Sequence, residues 1–457
     1  MRAITAASLI ACASCGRIGF DELDTAGDVD LVFADQTAGG TKLRRFQHAS
    51  ASWAAAVPAT PPTGANVLWS APRISPVDGS ELIAVASASG ELDVVRGPDL
   101  AFASTLSLTV LPTATIDKRG FDLAFERTSG TAVLVYSDGS TTPKYRRLAA
   151  GETSWSAEAS VPSAGASSTS WVELVSRPGT DELALVFSDE AGELWALTQT
   201  AGTWDAAPTM LESLLRTTTW QAFAAGYESL SGDLLVVWGH SEVGAMGTAW
   251  TSKPAGQATF TLPATIDPVL DAAGPIDVEP DPASDHIAIG LEEYTCGGGG
   301  CDDAWAAMWD GTQLVTQSDD VDTEIGNEGT AVDPNEYGGR PGSRPVAISW
   351  LGSTGTAVFV WGCATSPGMC TSGDLAWALW QGSWSVPLEF APSPAVGDKA
   401  TIELLDLGDS LLAVFTDVDG DLWAKQFDGT AWHDTEGGAA LATTGALAAQ
   451  PFGADVR

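Results

Sequence analysis

The stretch that decides the fold reads WVELVSR at 171–177, ELALVFSD at 182–189, ELWALTQT at 193–200 and TWDAAPTML at 203–211. The four segments are short and apolar. They are separated by proline–glycine or alanine–glycine pairs, which are typical of tight hairpin turns. The second segment is apolar almost throughout, as in a strand buried on both faces, whereas the third alternates more. The stretch therefore predicts four short antiparallel strands.

This unit is repeated along the chain. Copies of the second segment read DLVFAD, ELIAVAS, TAVLVYSD, DLLVVWGH, DHIAIGLE, TAVFVWGC and SLLAVFTD. Equivalent positions recur roughly every 51 residues, with one gap of about 71 that contains a glycine-, asparagine- and proline-rich insert at 324–343. The eight equivalent residues are Phe33, Ala86, Tyr136, Phe187, Trp238, Gly290, Trp361 and Phe415.

A second series of mostly aromatic residues shows the same long gap, and each member is expected to begin a later strand of its unit. Its members are Trp53, Phe102, Trp155, Trp204, Phe260, Leu314, Trp384 and Trp432. Two series in phase indicate a genuine internal repeat.

Four-stranded antiparallel units of this length are the blades of a β-propeller. The first unit lacks an innermost strand. The tail ALAAQPFGADVR at 446–457 follows the last unit and resembles the first strand of another unit, RGFDLAFER at 119–127. We predict a single all-β, eight-bladed propeller that is closed by the C-terminal strand pairing in the first blade, which removes exposed strand edges. Seven blades is the alternative. The predicted blades span 28–64 with 446–457, 65–115, 116–167, 168–216, 217–270, 271–323, 324–396 and 397–445.

The N-terminus MRAITAASLIACASCGRIGF has one basic residue, a short run of small apolar residues and then cysteines. This layout resembles a bacterial lipoprotein signal. The resemblance implies a signal peptide at 1–15, a lipid on Cys15 and a tether at 16–27, with Cys12 in LIAC as the alternative lipid site. A short apolar segment with two incidental cysteines is the simpler alternative. Neither Gly16 nor Ala13 is aspartate, so the resemblance implies the outer membrane or cell surface of a Gram-negative bacterium.

Composition excludes several classes of protein. The chain has 457 residues, with 59 acidic against 21 basic residues and a net charge of −38, so a broad basic face for nucleic acid is excluded. The hydrophobic fraction of 44% and 18 tryptophans exclude a disordered acidic chain. No apolar run is long enough to form a membrane-spanning helix.

Four cysteines follow the signal, in two close pairs that each come after a second strand. In an exported protein such pairs predict two local disulfides that shape loops, and a zinc site is the alternative. The pairs are Cys296 with Cys301 and Cys363 with Cys370.

The turn DVDGD offers carboxylates at Asp417, Asp419 and Asp421, a candidate calcium site of low specificity. The simpler interpretation is a solvated hairpin turn. No cofactor is required by any motif, and calcium is a possible ligand of this turn.

Two turns, SDEAGELW at 188–195 and TDVDGDLW at 416–423, are loosely similar to the Asp-box turns of sialidase-type propellers, although the aspartate is displaced by one position. That resemblance would imply a triad of arginines that holds a carboxylate. Arginines do recur at the end of the first strand in four units. Because they recur in register, we interpret them as repeat residues that pair with carboxylates. They are Arg73, Arg127, Arg177 and Arg457.

Other catalytic layouts are absent from the sequence: there is no GxSxG, no phosphate-binding glycine loop and no HExxH. The four histidines fall in four different units. Trp69, Trp220, Trp305 and Trp350 could stack on sugars, but first-strand packing explains them equally well.

We predict no catalytic residue and expect a monomeric binding or scaffold module for a cell-envelope protein or glycan. A sialidase-like or other glycan-cleaving hydrolase is the alternative.

Overall fold

A computed structural model gives the architecture of the chain. The residues it describes are 27–35, 40–59, 67–97, 103–109, 118–162, 167–215, 220–242, 245–265, 273–293, 304–315, 344–362, 375–386, 388–390, 399–417, 421–443 and 452–456.

These residues form eight antiparallel sheets, one for each blade, and each blade continues from the previous one along the chain. Blade 1 contains β1 (Val29–Asp35), β2 (Gly40–Gln47), β3 (Ser52–Trp53) and β4 (Val57–Ala59); blade 2 contains β5 (Val67–Ile74), β6 (Glu81–Ser87), β7 (Glu91–Gly97) and β8 (Ala103–Thr109); blade 3 contains β9 (Phe121–Phe125), β10 (Ala132–Tyr136), β11 (Lys144–Leu148) and β12 (Ala159–Ser160); blade 4 contains β13 (Thr169–Ser176), β14 (Glu182–Asp189), β15 (Leu194–Thr200), β16 (Thr203–Trp204) and β17 (Thr209–Glu212).

The second half of the ring follows the same plan. Blade 5 contains β18 (Phe223–Tyr227), β19 (Leu234–Glu242), β20 (Ala245–Lys253) and β21 (Ala264–Thr265); blade 6 contains β22 (Ala273–Pro280), β23 (Ile287–Glu293), β24 (Ala304–Trp309) and β25 (Leu314–Val315); blade 7 contains β26 (Val346–Trp350), β27 (Ala357–Gly362), β28 (Leu375–Trp380) and β29 (Leu388–Phe390); blade 8 contains β30 (Lys399–Asp406), β31 (Leu411–Asp417), β32 (Asp421–Phe427), β33 (Trp432–Asp434) and β34 (Ala442–Thr443); and β35 (Phe452–Val456) ends the described chain.

The last strand closes the ring. β35 pairs antiparallel with β1, with Phe452 opposite Phe33 and Ala454 opposite Leu31, and so becomes the innermost strand of blade 1. The predicted all-β, eight-bladed propeller and its closure are therefore confirmed. The described residues contain no α-helix, only 3-10 turns at His48–Ser50 and Gly352–Thr354.

The first repeat series occupies one position in the fold. All eight residues lie on the second strand of their blade and all are buried. Gly290 differs from the other seven because it has no side chain. Phe359 of the next blade occupies the space that a side chain at position 290 would need, and a Cβ on Gly290 would lie 2.8 Å from Phe359 Cε2. The divergent sixth unit is thus explained by packing against blade 7.

The outer strands differ from the prediction. The segment at 203–211 is not one strand, because β16 and β17 pair separately with β15. Between them the Asp205 carboxylate accepts the Thr198 N–H and hydroxyl, at 2.9 and 2.8 Å, so a side chain replaces the ladder there. Trp155 and Phe260 likewise precede their outer strands rather than begin them.

The innermost strands surround a central channel. They are β35, β5, β9, β13, β18, β22, β26 and β30, and they run in the same direction. We call the side where they begin the start face, and the side where they end, with the hairpins into the second strands, the end face. Neighbouring blades pack through apolar side chains, which leaves polar groups of the innermost strands to face the channel. The described part of the chain holds no helix long and apolar enough to cross a membrane.

Candidate functional site

All six cysteines lie outside the described residues. This applies to the candidate lipid sites Cys15 and Cys12 and to the two predicted disulfides. Lipidation and disulfide pairing therefore stay predictions. The disulfide cysteines are Cys296, Cys301, Cys363 and Cys370.

The candidate calcium turn is only partly described, since Asp419 falls outside. Asp417 is buried, and its two carboxylate oxygens accept the Asp421 N–H at 2.8 Å and the Trp423 indole N–H at 3.0 Å. Asp189 holds the equivalent hairpin of blade 4 in the same way, through the N–H groups of Ala191 and Glu193. Asp417 thus has a structural role in its turn. Within the described ranges no three His, Cys, Asp or Glu side chains are grouped as metal ligands, and the calcium site stays a prediction.

The channel wall is held together by carboxylates. In five places an acidic side chain on an innermost strand accepts a main-chain N–H from the next innermost strand, at 2.7–3.2 Å. The inner edge of each blade would otherwise present unpaired N–H groups to the channel, so these bonds satisfy the strand edges. The pairs are Asp455 with Ile74, Asp122 with Leu174, Glu173 with Ala225, Asp277 with Ile348 and Glu403 with Ala454.

Arginines balance part of this charge. Arg73 lies 3.3 Å from Asp122, and Arg344 lies 2.9 Å from Asp277. Burial lowers the pKa of both guanidinium groups, but the carboxylates that face them outweigh burial and raise it overall. Arg119 approaches Asp122 at 3.8 Å. These three arginines are therefore held by the wall of the channel.

Two glutamates in the channel carry raised pKa values. Burial raises the pKa of Glu173 to about 7, against the opposing effects of Arg119 and the Ala225 N–H. Burial, together with Asp277 and Asp406, raises the pKa of Glu279 to about 8. Glu173 accepts bonds from Ala225 and from the Gln221 amide at 2.9 Å, whereas the Glu279 carboxyl has no hydrogen-bond partner in the described part of the chain. Glu279 is therefore largely protonated at neutral pH and open to a ligand.

Arg127 is a cation that stays uncommitted within the described part of the chain. It lies two residues beyond the end of β9, its side chain is exposed, and among the described residues its guanidinium makes no hydrogen bond or ion pair. Burial lowers its pKa, Asp455 and Glu279 act in the opposite direction, and Arg73 repels it. Arg127 and Glu279 come from blades 3 and 6, and both lie at the end face. Over the described ranges, Arg127 and Glu279 thus lack a hydrogen-bond partner for their charged groups, and each affects the pKa of the other.

The four arginines that recur in the sequence do not act alike. Arg73 pairs with Asp122 and Arg177 with Glu182, each at 3.3 Å, as the repeat interpretation expects. Arg127 has no such partner in the part of the chain that the structure describes, and Arg457 lies outside that part. Sequence reasoning missed Arg119, Arg344 and the channel glutamates. The available signal was an acidic residue inside an otherwise apolar first strand, as in FDLAF and WVELVS.

The tryptophans that could have formed a sugar platform are mostly buried. Trp69, Trp220 and Trp350 are 2%, 6% and 1% exposed, and Trp305 is half-buried. First-strand packing accounts for them.

Each histidine has its own local surroundings. Nε2 of His48 lies 2.8 Å from Ser410 Oγ and 3.1 Å from Asp409 Oδ1. Because one nitrogen meets both groups, the ring does not link the aspartate to the serine as a catalytic triad requires. His240 contacts Glu212, and His433 contacts Asp428.

Comparison with known proteins gives similarity in fold. No protein family and no curated protein sequence matches the chain. Among solved structures it is similar to a Mycobacterium tuberculosis puromycin-hydrolysing peptidase, with 13% identity and a TM-score of 0.46 over 80% of this chain and 52% of that one, so the chain spans about half of that protein. It is similar to the β-propeller domain of the trilobed protease from Pyrococcus furiosus, with 8% identity and a TM-score of 0.42 over 81% of this chain and 97% of that one. It is also similar to an Aleuria aurantia lectin, with 14% identity and a TM-score of 0.38 over 72% and 97% of the two chains. Enzymes and binding proteins both occur among these propellers, so function has to be argued from the channel itself.

Proposed function

We propose that the protein is an exported, lipid-anchored, non-catalytic binding module for a glycan or protein of the cell envelope, and that its ligand enters the channel at the end face. The N-terminal sequence supports export and a lipid on Cys15. The acidic surface supports solubility as a monomer, because like-charged chains repel.

One observation carries the binding role: the channel groups that lack a partner in the described part of the chain are groups that can bind a ligand. Most channel carboxylates are committed to main-chain N–H groups and arginines of the wall. Arg127 and Glu279 have no such commitment among the described residues. A guanidinium and a neutral carboxyl can donate and accept hydrogen bonds, but neither is a nucleophile at neutral pH, so the site favours recognition over chemistry.

The binding role is tested with arrays of glycans and envelope proteins, probed with the purified chain lacking residues 1–15. We expect a reproducible set of ligands whose binding is lost in the Arg127→Gln variant. Absence of any ligand on both arrays contradicts the proposal.

Anchoring is tested separately in cells. Cys15→Ser should abolish partition of the protein into the detergent phase and remove the lipid mass from the N-terminal peptide, while Cys12→Ser should not. The reverse result assigns Cys12, and no lipid in either the parent or the variants contradicts anchoring.

A glycan-cleaving hydrolase is the second candidate, favoured by one arrangement. Glu279 carries a raised pKa, and Asp277, two residues earlier on the same strand, is ion-paired with Arg344. Two neighbouring carboxyl groups in different surroundings are the pairing that glycosidases use. Turnover of a panel of fluorogenic glycosides that is lost in Glu279→Gln would establish this function, and no turnover across the panel would remove it.

A further inference from the structure

We propose that the cleft between the third strands of blades 3 and 4 binds a sugar residue, a neutral ring with hydroxyl groups at its edge. This goes beyond the proposed function, because the cleft lies between two blades and not in the channel.

Aromatic side chains line both walls of this cleft. Tyr145 on β11 is half-buried and meets Trp204 on β16 edge to face, with ring centroids 5.7 Å apart. Trp195 on β15 is half-buried against the same apolar cluster. Met210 on β17 lies opposite Trp195 and is 49% exposed. The cleft therefore offers apolar ring surface that the protein covers only in part.

Polar side chains lie at the end of the cleft nearest the end face. Glu126 Oε1 accepts bonds from the Arg147 guanidinium at 2.5 Å and from the Gln199 amide at 3.0 Å. The guanidinium also lies on the β15–β16 hairpin, since a Cβ on Gly202 would come within 1.5 Å of Arg147 Nη1. Gln199 is paired with Trp204 across that hairpin. These contacts place the polar groups beside the aromatic pair, and Glu126 balances the charge of Arg147.

Four buried polar atoms of the cleft have no hydrogen-bond partner in the described part of the chain. They are Arg147 Nε, Trp195 Nε1, Trp204 Nε1 and Gln199 Oε1. A buried donor or acceptor without a partner costs free energy, and such groups are uncommon in native proteins. A ligand that supplies the missing partners removes this cost.

The equivalent tryptophan of blade 8 is satisfied. Trp195 and Trp423 occupy the same place in the repeat, each opposite a residue of the first repeat series. The Trp423 indole donates to Asp417 at 3.0 Å. Asp189, the counterpart of Asp417, accepts three main-chain N–H groups instead. The indole N–H without an acceptor is therefore a feature of this cleft and not of the repeat position.

The four atoms select the class of ligand. Three are N–H donors and one is a carbonyl acceptor, so the ligand has to accept and to donate hydrogen bonds. Hydroxyl groups do both, whereas a carboxylate has no donor for Gln199 and is repelled by Glu126. The aromatic walls in addition favour an apolar face. A sugar ring combines C–H faces with hydroxyl edges and meets both requirements.

Entry of the ligand requires side-chain movement, because the four atoms are shielded from solvent. Met210 is exposed, unbranched and adaptable, as methionines at binding surfaces are. The Arg147 side chain is 27% exposed. These two side chains are the movable parts of the cleft, while β15 is held by its ladders to β14 and β16.

The test is fluorine NMR of the chain lacking residues 1–15, labelled with fluorotryptophan. The probes are the methyl glycosides of glucose, galactose, mannose and N-acetylglucosamine, titrated well above the Kd of about 1 mM expected of a ligand of this size. The Trp195 and Trp204 resonances are assigned by their loss in the Trp195→Phe and Trp204→Phe variants. We expect at least one glycoside to shift both resonances saturably and to leave the Trp423 resonance in place.

The variants then separate the cleft from the rest of the protein. Trp204→Phe keeps a ring but removes the N–H, so it should weaken the glycoside about 5- to 10-fold, as followed on the Trp195 resonance. Trp195→Phe, followed on the Trp204 resonance, should act in the same direction. Trp423→Phe is the matched control and should leave binding unchanged. Arg127→Gln should also leave it unchanged, because Arg127 belongs to the proposed channel function.

Several results would overturn the assignment. One is that no glycoside shifts the two resonances, and another is an affinity that stays at the parent value in both cleft variants, with melting curves showing that each is folded. A response of equal size to 2-methyltetrahydropyran, which has the ring without hydroxyl groups, or tighter binding of tetraglycine would assign the cleft to another class of ligand. None of these results touches the channel function, which is tested through Arg127.

Discussion

Replacing Asp122 by alanine should destabilise the ring far more than replacing another channel acid, Glu279, by glutamine. Asp122 is 1% exposed, and its carboxylate accepts the Leu174 N–H of the next blade at 2.9 Å and faces Arg73 at 3.3 Å. Alanine leaves a buried donor and a guanidinium without their partner. Breaking a buried pair by removing one member costs about 3–5 kcal/mol.

The expected shift in melting temperature follows from the size of the chain. At about 2.1 cal/mol/K per residue, 457 residues give an unfolding entropy of about 1 kcal/mol/K. Asp122→Ala should therefore lower Tm by about 3–5 °C. Glu279→Gln keeps the neutral form that already predominates at pH 7, and its Tm should stay within about 1 °C of the parent.

Differential scanning calorimetry at pH 7 measures both variants, with tryptophan fluorescence to check that the native fold is reached. Equal Tm values for Asp122→Ala and the parent would refute the role of channel carboxylates in joining the blades. A loss in Glu279→Gln as large as that in Asp122→Ala would refute the distinction between committed and open acids.

Two further predictions concern stability. Asp93 is fully buried and neither carboxylate oxygen meets a donor at hydrogen-bond geometry; burial raises its pKa, and Ser107 opposite it offsets this only in part. Its folded pKa lies above the unfolded value of about 4, so the penalty is absent below the unfolded pKa, grows as the pH rises from the unfolded to the folded pKa, and is complete above the folded pKa. Asp93→Asn should raise stability by about 1–3 kcal/mol at pH 7 and less near pH 4, and equal gains at both pH values in thermal melts would contradict this. Gly352→Ala places a Cβ 1.9 Å from the Gly408 carbonyl oxygen at a φ of +49°, whereas Gly355→Ala has φ +71° with nothing within 4 Å. Gly355→Ala should cost about 1–2 kcal/mol and Gly352→Ala clearly more by chemical denaturation, and similar losses would show that the two hairpins are not packed as described.

The sequence was sufficient for the architecture because the repeat encodes it directly. ELALVFSD at 182–189 is β14 with the same bounds, and the eight equivalent positions all lie on second strands. Closure could also be predicted, since FGADV at the C-terminus has the pattern of a first strand and the first unit lacks one. The outer strands were harder to predict. In blade 4 a hydrogen bond to the Asp205 side chain interrupts the ladder between the outer segment and β15, and sequence periodicity does not reveal such a bond.

The channel could not be predicted in the same way. The groups that meet there come from different blades, as with Arg73 of blade 2 and Asp122 of blade 3, and their placement depends on the radius and rotation of the ring. Arg73, Arg127 and Arg177 have equivalent sequence positions but different surroundings. A repeat pattern predicts which residues occupy equivalent positions. Function depends on the positions at which the surroundings of equivalent residues differ.

The most direct test of the account is whether the two ends of the chain meet in one blade. Leu31 and Ala454 are paired across β1 and β35, so cysteines at both positions should form a disulfide on mild oxidation, since paired Cα atoms lie within the 4.4–6.8 Å range that roughly bounds such bonds. Peptide mass spectrometry under non-reducing conditions should find the peptide with position 31 joined to the one with position 454, and neither single variant should give it. A folded double variant in which both new thiols stay free would contradict the closed ring on which the channel depends.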